Sequence, residues 1–190
     1  MKRVSKFITF LLFIAMFSLV VTSTQAFAAS NHSLSYSQVK KYQPSSKKMK
    51  FTYQQTYKGK KEISKLKYNN TFYGWIAGDD ILSDFSLGYN IQKDKFLIGR
   101  PSSGIIYTMF DVPTRKGNIY KYKDHYETSN SMDTKIVSIT QKVKVKAGTY
   151  RNCIVVKDRI DNVTYYFAKN IGLILSKSKT MRTELVKVER

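Results

Sequence analysis

A regular alternation of apolar and basic residues, KVKVKAG from Lys142 to Gly148, predicts a β-strand that ends in a turn. Apolar residues at every second position are typical of a strand with one buried and one solvated face. The closing glycine tolerates the positive φ of a tight turn, and residues 150–156 then form a second run, rich in β-branched side chains. Two further apolar runs, 163–168 and 173–175, are separated by an Asn-Ile-Gly turn. The C-terminal third therefore predicts consecutive antiparallel strands.

Runs of the same kind recur along the rest of the chain. They cover residues 50–57, 63–68, 94–98, 105–110, 119–122 and 135–140. Residues 81–89 are apolar enough for either a buried strand or a short helix. Roughly nine or ten short segments, separated by turn residues, favour an antiparallel sheet that curls on itself. The predicted fold is all-β or mainly β: a single curved antiparallel sheet, half-barrel or barrel, with few or short helices.

Three motifs carry a resemblance to a known module. They are VKVKAGTYRNC at 143–153, YYFAKNIGLI at 165–174 and ELVKV at 184–188. Together with Pro113 and Gly117 ahead of the aromatic Tyr120, they resemble a β-rich module of exported proteins and lipoproteins of Gram-positive bacteria. The resemblance implies an exported antiparallel β domain, and it implies no activity and no catalytic residues.

The N-terminus has the pattern of an export signal. Met1-Lys2-Arg3 and Lys6 are followed by an apolar stretch, 7–21, that would span only about 22 Å as a helix, which is short for a bilayer crossing. The small residues around Ala26-Phe27-Ala28 predict cleavage after Ala28, so that residues 1–28 form a signal peptide. An uncleaved membrane anchor is the alternative. Because no cysteine follows the apolar stretch, we expect a released protein without an N-terminal lipid.

Charge is the second strong property of the chain. Loss of Lys2, Arg3 and Lys6 takes the basic count from 33 to 30 against 13 acids, which leaves a net charge of +17. Such a charge favours salt-dependent association with polyanions. The expected partners are anionic polymers such as teichoic acids, anionic lipid headgroups and extracellular nucleic acid. We interpret residues 29–48 as a flexible polar and basic lead, and 49–190 as a single antiparallel β domain.

The basic residues concentrate early in the predicted mature chain, where no acid precedes Glu62. Eight lysines are the candidate anion-binding residues: Lys47, Lys48, Lys50, Lys58, Lys60, Lys61, Lys65 and Lys67. Tyrosines interleaved with these lysines are suited to bind a sugar polymer or single-stranded nucleic acid. The tyrosine rings would stack on the ligand, and the lysine ammonium groups would bind its phosphates. The alternative is that tyrosine favours strands and that lysine protects exposed strand edges.

The middle of the chain is less basic and is the best candidate for a ligand pocket. Trp75 lies between two glycines, and we name Tyr53, Tyr73 and Trp75 as pocket residues, with a plain core role as the alternative. The nearby Asp79, Asp80 and Asp84 lack the spacing of a calcium loop, so a helix start or turn is the preferred interpretation.

Few residues offer catalytic chemistry. Cys153 alternates with apolar neighbours, which predicts a buried thiol rather than one that pairs between chains. His32 and His125 both lie in polar surroundings. Paired carboxylates, among them Asp158 and Asp161, remain a route to glycoside hydrolysis, but no catalytic motif is recognised. We expect no enzyme activity, no metal and no cofactor.

The predicted function is therefore that of a secreted, strongly basic, non-catalytic binding protein that associates with anionic cell-envelope polymers. Two alternatives stay open. One is a curved-sheet carrier of an apolar ligand, lipid or peptide, with a cavity near Trp75. The other is a secreted cationic effector or its immunity partner.

Overall fold

A computed structural model of the protein describes residues 32–77, 85–101, 105–122 and 132–190. The predicted signal peptide, the group Asp79, Asp80 and Asp84, and His125 lie outside the described residues.

Strands dominate the structure, as predicted. They are β1 (Ser33–Leu34), β2 (Lys50–Tyr57), β3 (Lys60–Asn69), β4 (Gly74–Ala77), β5 (Ser86–Ile91), β6 (Lys95–Arg100), β7 (Ile105–Asp111), β8 (Thr114–Arg115), β9 (Ile119–Tyr122), β10 (Met132–Val145), β11 (Gly148–Asp158), β12 (Thr164–Ala168), β13 (Gly172–Lys177) and β14 (Met181–Glu189). The helix α1 (Tyr36–Val39) has four residues. Within the described ranges, no helix has the length and apolarity that a membrane crossing requires.

Twelve of the strands form one antiparallel sheet. Its order is β7-β6-β5-β4-β3-β2-β14-β13-β12-β11-β10-β9, and β1 pairs separately with β8. The sheet curls until it nearly closes into a barrel, which confirms the predicted fold class. At the seam, the Tyr122 hydroxyl donates to Asp111 Oδ1 at 2.7 Å, and Thr134 Oγ1 donates to the Met109 carbonyl at 2.5 Å. Side chains thus join the two ends of the sheet.

Large apolar and aromatic side chains fill the interior. The largest with almost no exposed surface are Tyr42, Tyr53, Phe96, Phe110, Phe167, Met49, Leu66, Met109, Ile136, Ile154, Ile174 and Leu185. The rings of Phe96 and Phe110 stack with centroids 4.8 Å apart, and Phe167 meets Phe96 edge-on at 5.2 Å. Residues from both halves of the chain therefore meet in one core.

An irregularity in β13 is held by two tyrosines from other strands. The register between β12 and β13 shifts so that Tyr166 faces Leu175 and Phe167 faces Leu173, which makes Ile174 the extra residue of a bulge. The Tyr53 hydroxyl donates to the Leu173 carbonyl at 2.6 Å, and the Leu173 N–H donates to the Tyr89 hydroxyl at 2.8 Å. Both backbone groups of Leu173 thus gain a side-chain partner.

The described residues before β2, 32–48, are part of the domain, which corrects the interpretation of this part of 29–48 as a flexible lead. The Ser35 N–H donates to Gln38 Oε1 at 2.8 Å, an N-terminal cap that favours α1. Val39 and Tyr42 have no exposed surface and belong to the main core, and the Tyr42 hydroxyl donates to the Asn152 carbonyl at 2.7 Å. The folded unit therefore includes residues 32–48 rather than starting near Met49.

Candidate functional site

All eight lysines named as anion-binding candidates are exposed, but they do not form one cluster. Lys47 and Lys48 precede β2, and Lys58 lies in the β2–β3 hairpin turn, where its Nζ is 5.3 Å from the Tyr57 ring centroid. Lys61, Lys65 and Lys67 project from the outer face of β3, because Ser64 and Leu66 between them are buried. Strand alternation thus separates the set into distinct surfaces.

Three of the eight line one groove of about 940 Å³ along the β2–β3 pair. They are Lys50, Lys65 and Lys67. Thr52 and Ile63 contribute to the same groove, and so do the carboxylates of Glu62 and Glu189. We refer to this feature as the lysine groove.

The electrostatics of Glu189 show that basic groups converge at one end of the lysine groove. Its carboxylate forms an ion pair with Lys187 Nζ at 2.9 Å. The hydrogen bond to Lys187 lowers the pKa of Glu189, and Lys50 and Lys65 lower it further. Strand pairing explains this arrangement, since Thr52 of β2 lies directly opposite Lys65 on one side and Lys187 on the other. Lysines from three strands therefore act electrostatically on one carboxylate, and Lys187 contacts it directly.

Lys187 was not among the predicted anion-binding residues. It lies more than a hundred residues from the basic segment, and only the pairing of β2 with β14 brings it to the lysine groove. Lys187 is part of the ELVKV motif, but no local sequence pattern predicts that this strand pairs with β2.

Two of the three predicted pocket residues are core residues, which corrects their assignment to a ligand site. Trp75 is 6% exposed, its Nε1–H donates to the Met49 carbonyl at 2.9 Å, and its ring meets Tyr68 edge-on at 4.9 Å. Tyr53 is 1% exposed and donates to Leu173. Aromatic packing occupies the space beside Trp75 where an apolar cavity was expected.

Tyr73, the third candidate, lies on the surface instead. It is 76% exposed and lines an open groove of about 370 Å³ with Ile105 and Ile106 of β7 and Pro101. Gly88 and Gly99 lie beneath the groove, and added Cβ atoms there would approach Pro101 and the Ile105 carbonyl, respectively.

A third cavity, of about 290 Å³, combines polar and apolar walls and holds two of the predicted carboxylates. Asp158 is 1% exposed, and burial raises its pKa, although hydrogen bonds from the Ile160 and Asp161 N–H groups oppose the shift. Tyr165 lines the same cavity, and its pKa is raised to about 12 by burial and then by Asp158 and Asp161. Arg100 also lines it. Asp158 and Asp161, two of the carboxylates considered from the sequence, thus line the same cavity.

The remaining residues considered for catalysis or metal binding are Cys153 and His32. Cys153 is fully buried, as predicted, and burial raises the pKa of its thiol to about 11. His32 is exposed at the start of the described chain. In the part of the chain that the structure describes, no group of three or more His, Cys, Asp or Glu side chains could hold a metal ion.

Comparisons with known proteins give little beyond the fold. No family model matches the chain, and no curated protein matches it. Among solved structures, it is similar to the 2.70 Å crystal structure of a protein from Parabacteroides distasonis described as a "putative lipoprotein". That match has 13% sequence identity and a TM-score of 0.40, and covers 78% of this chain and 98% of the other. At this TM-score, the likeness carries no argument about function.

Proposed function

We propose that this protein is an exported, non-catalytic binding protein that holds an anionic cell-envelope polymer in the lysine groove. The observation that carries the proposal is the convergence of Lys50, Lys65 and Lys67 on one groove of a chain whose predicted mature charge is +17. Lys187, which forms an ion pair with Glu189 of the groove, adds a fourth ammonium group beside it.

The physical basis is Coulombic attraction at an open, solvated surface. Ammonium groups on exposed strands attract phosphate or carboxylate groups in every orientation, and no deep pocket is required. Because the surface is exposed, the attraction is screened within about 8 Å at physiological ionic strength. Binding should therefore be reversed by salt rather than by competition with a small neutral ligand.

The experiment compares two variants that lose the same charge from different places. The groove variant carries Lys50→Gln, Lys65→Gln and Lys67→Gln. The control variant carries Lys40→Gln, Lys93→Gln and Lys116→Gln, which are exposed lysines outside the lysine groove. Each protein is sedimented with purified Gram-positive cell walls, before and after chemical removal of the anionic polymers, over a series of salt concentrations.

We expect the wild-type protein to sediment with intact walls and to be released from them by salt. It should not sediment with walls from which the anionic polymers have been removed. The groove variant should be released at lower salt, with its affinity reduced on the order of ten- to hundred-fold at low salt, because three phosphate contacts are lost. Equal release of the groove and control variants would refute the groove as the binding site. Equal sedimentation with stripped walls would refute the proposed function.

A further inference from the structure

One row of directly paired residues crosses seven consecutive strands of the barrel, from β10 to β3. Each member lies opposite the next in the strand register, so that all of them project from the same face of the sheet. The row consists of Lys135, Lys157, Thr164, Lys177, Arg182, Thr56 and Lys61. All five basic residues are exposed and the two threonines are half-buried, which identifies this as the outer face. We call this row the basic belt.

Five of the seven positions of the basic belt are basic and none is acidic. Two of the acids near the basic belt leave most of that charge in place. Asp158 follows Lys157 on β11 but is buried on the opposite face. Glu184, in the neighbouring row, forms an ion pair with Arg182 at 3.1 Å. Lys177 Nζ lies 5.5 Å from the centroid of the Tyr166 ring, a contact that leaves its charge intact.

The basic belt has the dimensions of a track for a chain rather than a site for a small ion. Neighbouring strands are about 4.8 Å apart, so the six steps from Lys135 to Lys61 span roughly 29 Å. Basic groups recur along it at intervals of about 5 to 10 Å. At its β3 end, Lys61 lies four residues, or about 13 Å along the strand, before Lys65 of the lysine groove. The belt therefore leads into the groove.

We infer that the basic belt binds a linear, flexible phosphate polymer that runs around the barrel, across the strands, and into the lysine groove. This inference rests on the proposed function and specifies its ligand: a long chain of phosphate groups without aromatic bases, such as a polyol phosphate or an inorganic polyphosphate. One polymer that follows the basic belt then contacts basic groups from five of its seven strands at once.

The shape and composition of the basic belt distinguish this ligand from two other polyanions. The belt follows the convex side of a sheet that nearly closes, so a flat anionic membrane touches only a few of its seven strands at a time. None of the seven side chains carries an aromatic ring, whereas proteins that bind single-stranded nucleic acid usually stack bases on such rings. A flexible chain without bases can follow the curved belt and does not need aromatic rings on which to stack.

The test uses tripolyphosphate and a long-chain polyphosphate that exceeds the belt in length. A belt variant carries Lys135→Gln, Lys157→Gln and Lys177→Gln. The wild-type, belt, groove and control variants are titrated with each probe by calorimetry at several salt concentrations. Thermal unfolding of each variant, followed by circular dichroism, checks that the exposed substitutions leave the fold unchanged.

We expect the belt variant to bind tripolyphosphate like the wild type but to lose on the order of ten- to hundred-fold in affinity for the long chain at low salt, because three contacts are removed. The slope of log affinity against log salt should fall by about two, at roughly 0.7 per lost contact on a flexible strand. The control variant should keep most of the slope. The groove variant should weaken the binding of both probes.

Equal losses of affinity for the long chain in the belt and control variants would refute the basic belt as its binding site. The proposed function would remain, because the overall positive charge of the protein would then account for binding. Failure of the wild type to bind either probe or intact cell walls would remove the proposed function itself. Tighter binding of an oligothymidylate than of polyphosphate of equal charge would overturn the ligand class. The ligand class would also be overturned if the protein bound anionic phospholipid vesicles more tightly than the long chain and the belt variant lost that binding.

Discussion

Tyr53 joins two parts of the barrel that are 120 residues apart in the chain. Its ring packs in the core, with the Phe85 ring 5.1 Å away, and its hydroxyl donates to the Leu173 carbonyl beside the bulge in β13. A buried carbonyl without a donor is costly, so the hydroxyl stabilises the fold directly. Burial raises the pKa of Tyr53 well above its ordinary value, which keeps the proton in place for donation.

Replacing Tyr53 by phenylalanine should lower the free energy of unfolding by about 1–3 kcal/mol, because the Leu173 carbonyl loses this donor while the ring stays in place. The matched control is Tyr57→Phe on the same strand, at a side chain that is 51% exposed, which should change stability by less than about 0.5 kcal/mol. Denaturant unfolding measures both. Equal effects would contradict the structural role, and a loss of ligand binding without a loss of stability would restore Tyr53 as a pocket residue.

At the scale of elements, the strands could be predicted and the first segment could not. Strands such as β10 and β11 follow from alternation and turn glycines, which are local properties of the sequence. Residues 32–48 contain few apolar side chains, and Tyr42 finds its hydrogen-bond partner 110 residues away at Asn152. A polar segment with one proline therefore resembles a flexible lead until the surface that it covers is known.

Removal of residues 29–48 tests this segment. A chain that begins at Met49 should be less stable than one that begins at Ala29, by on the order of 3–5 kcal/mol, because Val39 and Tyr42 no longer cover the core. A chain that begins at His32 serves as the control and should unfold like the longer one. Thermal and denaturant unfolding give the comparison. Equal stability of the chains that start at residues 29 and 49 would support the flexible lead.

At the scale of the whole molecule, the same limit applies to the candidate site. The exposure of the eight lysines was predictable, because charged side chains on half-buried strands face solvent. Their division between the lysine groove and other surfaces was not, since it depends on which strands are neighbours. Lys187 joins Lys50 and Lys65 only through the pairing of β14 with β2. The basic belt is likewise a property of registers that no single stretch of sequence contains.

Buried neutral groups make the whole fold sensitive to alkali. Burial raises the pKa of Cys153 from 9.0 to about 11 and the pKa values of Tyr42 and Tyr165 from 10.0 to about 12. Since the folded values lie above the unfolded ones, this stability is complete below about pH 9 and is lost as pH rises toward 12. Each such group should lower the free energy of unfolding by about 1.4 kcal/mol per pH unit in its window.

The measurement is denaturant unfolding at a series of alkaline pH values. Tyr165→Phe should reduce the slope above pH 10.0, because one group that titrates differently in the two states is gone. A stability that stays constant from pH 9.0 to 12 would show that these groups keep their ordinary pKa values in the folded protein.

The pairing of β2 with β14 has a consequence for how the chain is made. Lys50 lies opposite Glu189, so the first long strand completes its hydrogen bonds only with residues that are synthesised more than a hundred positions later. A nascent chain therefore keeps one side of β2 open until the nine-residue β14 has emerged. A product cut short before Met181 would leave β2 and β13 each with an unpaired edge where β14 belongs, and such edges recruit other chains. The synthesis of β14 thus covers both of these strand edges in one step.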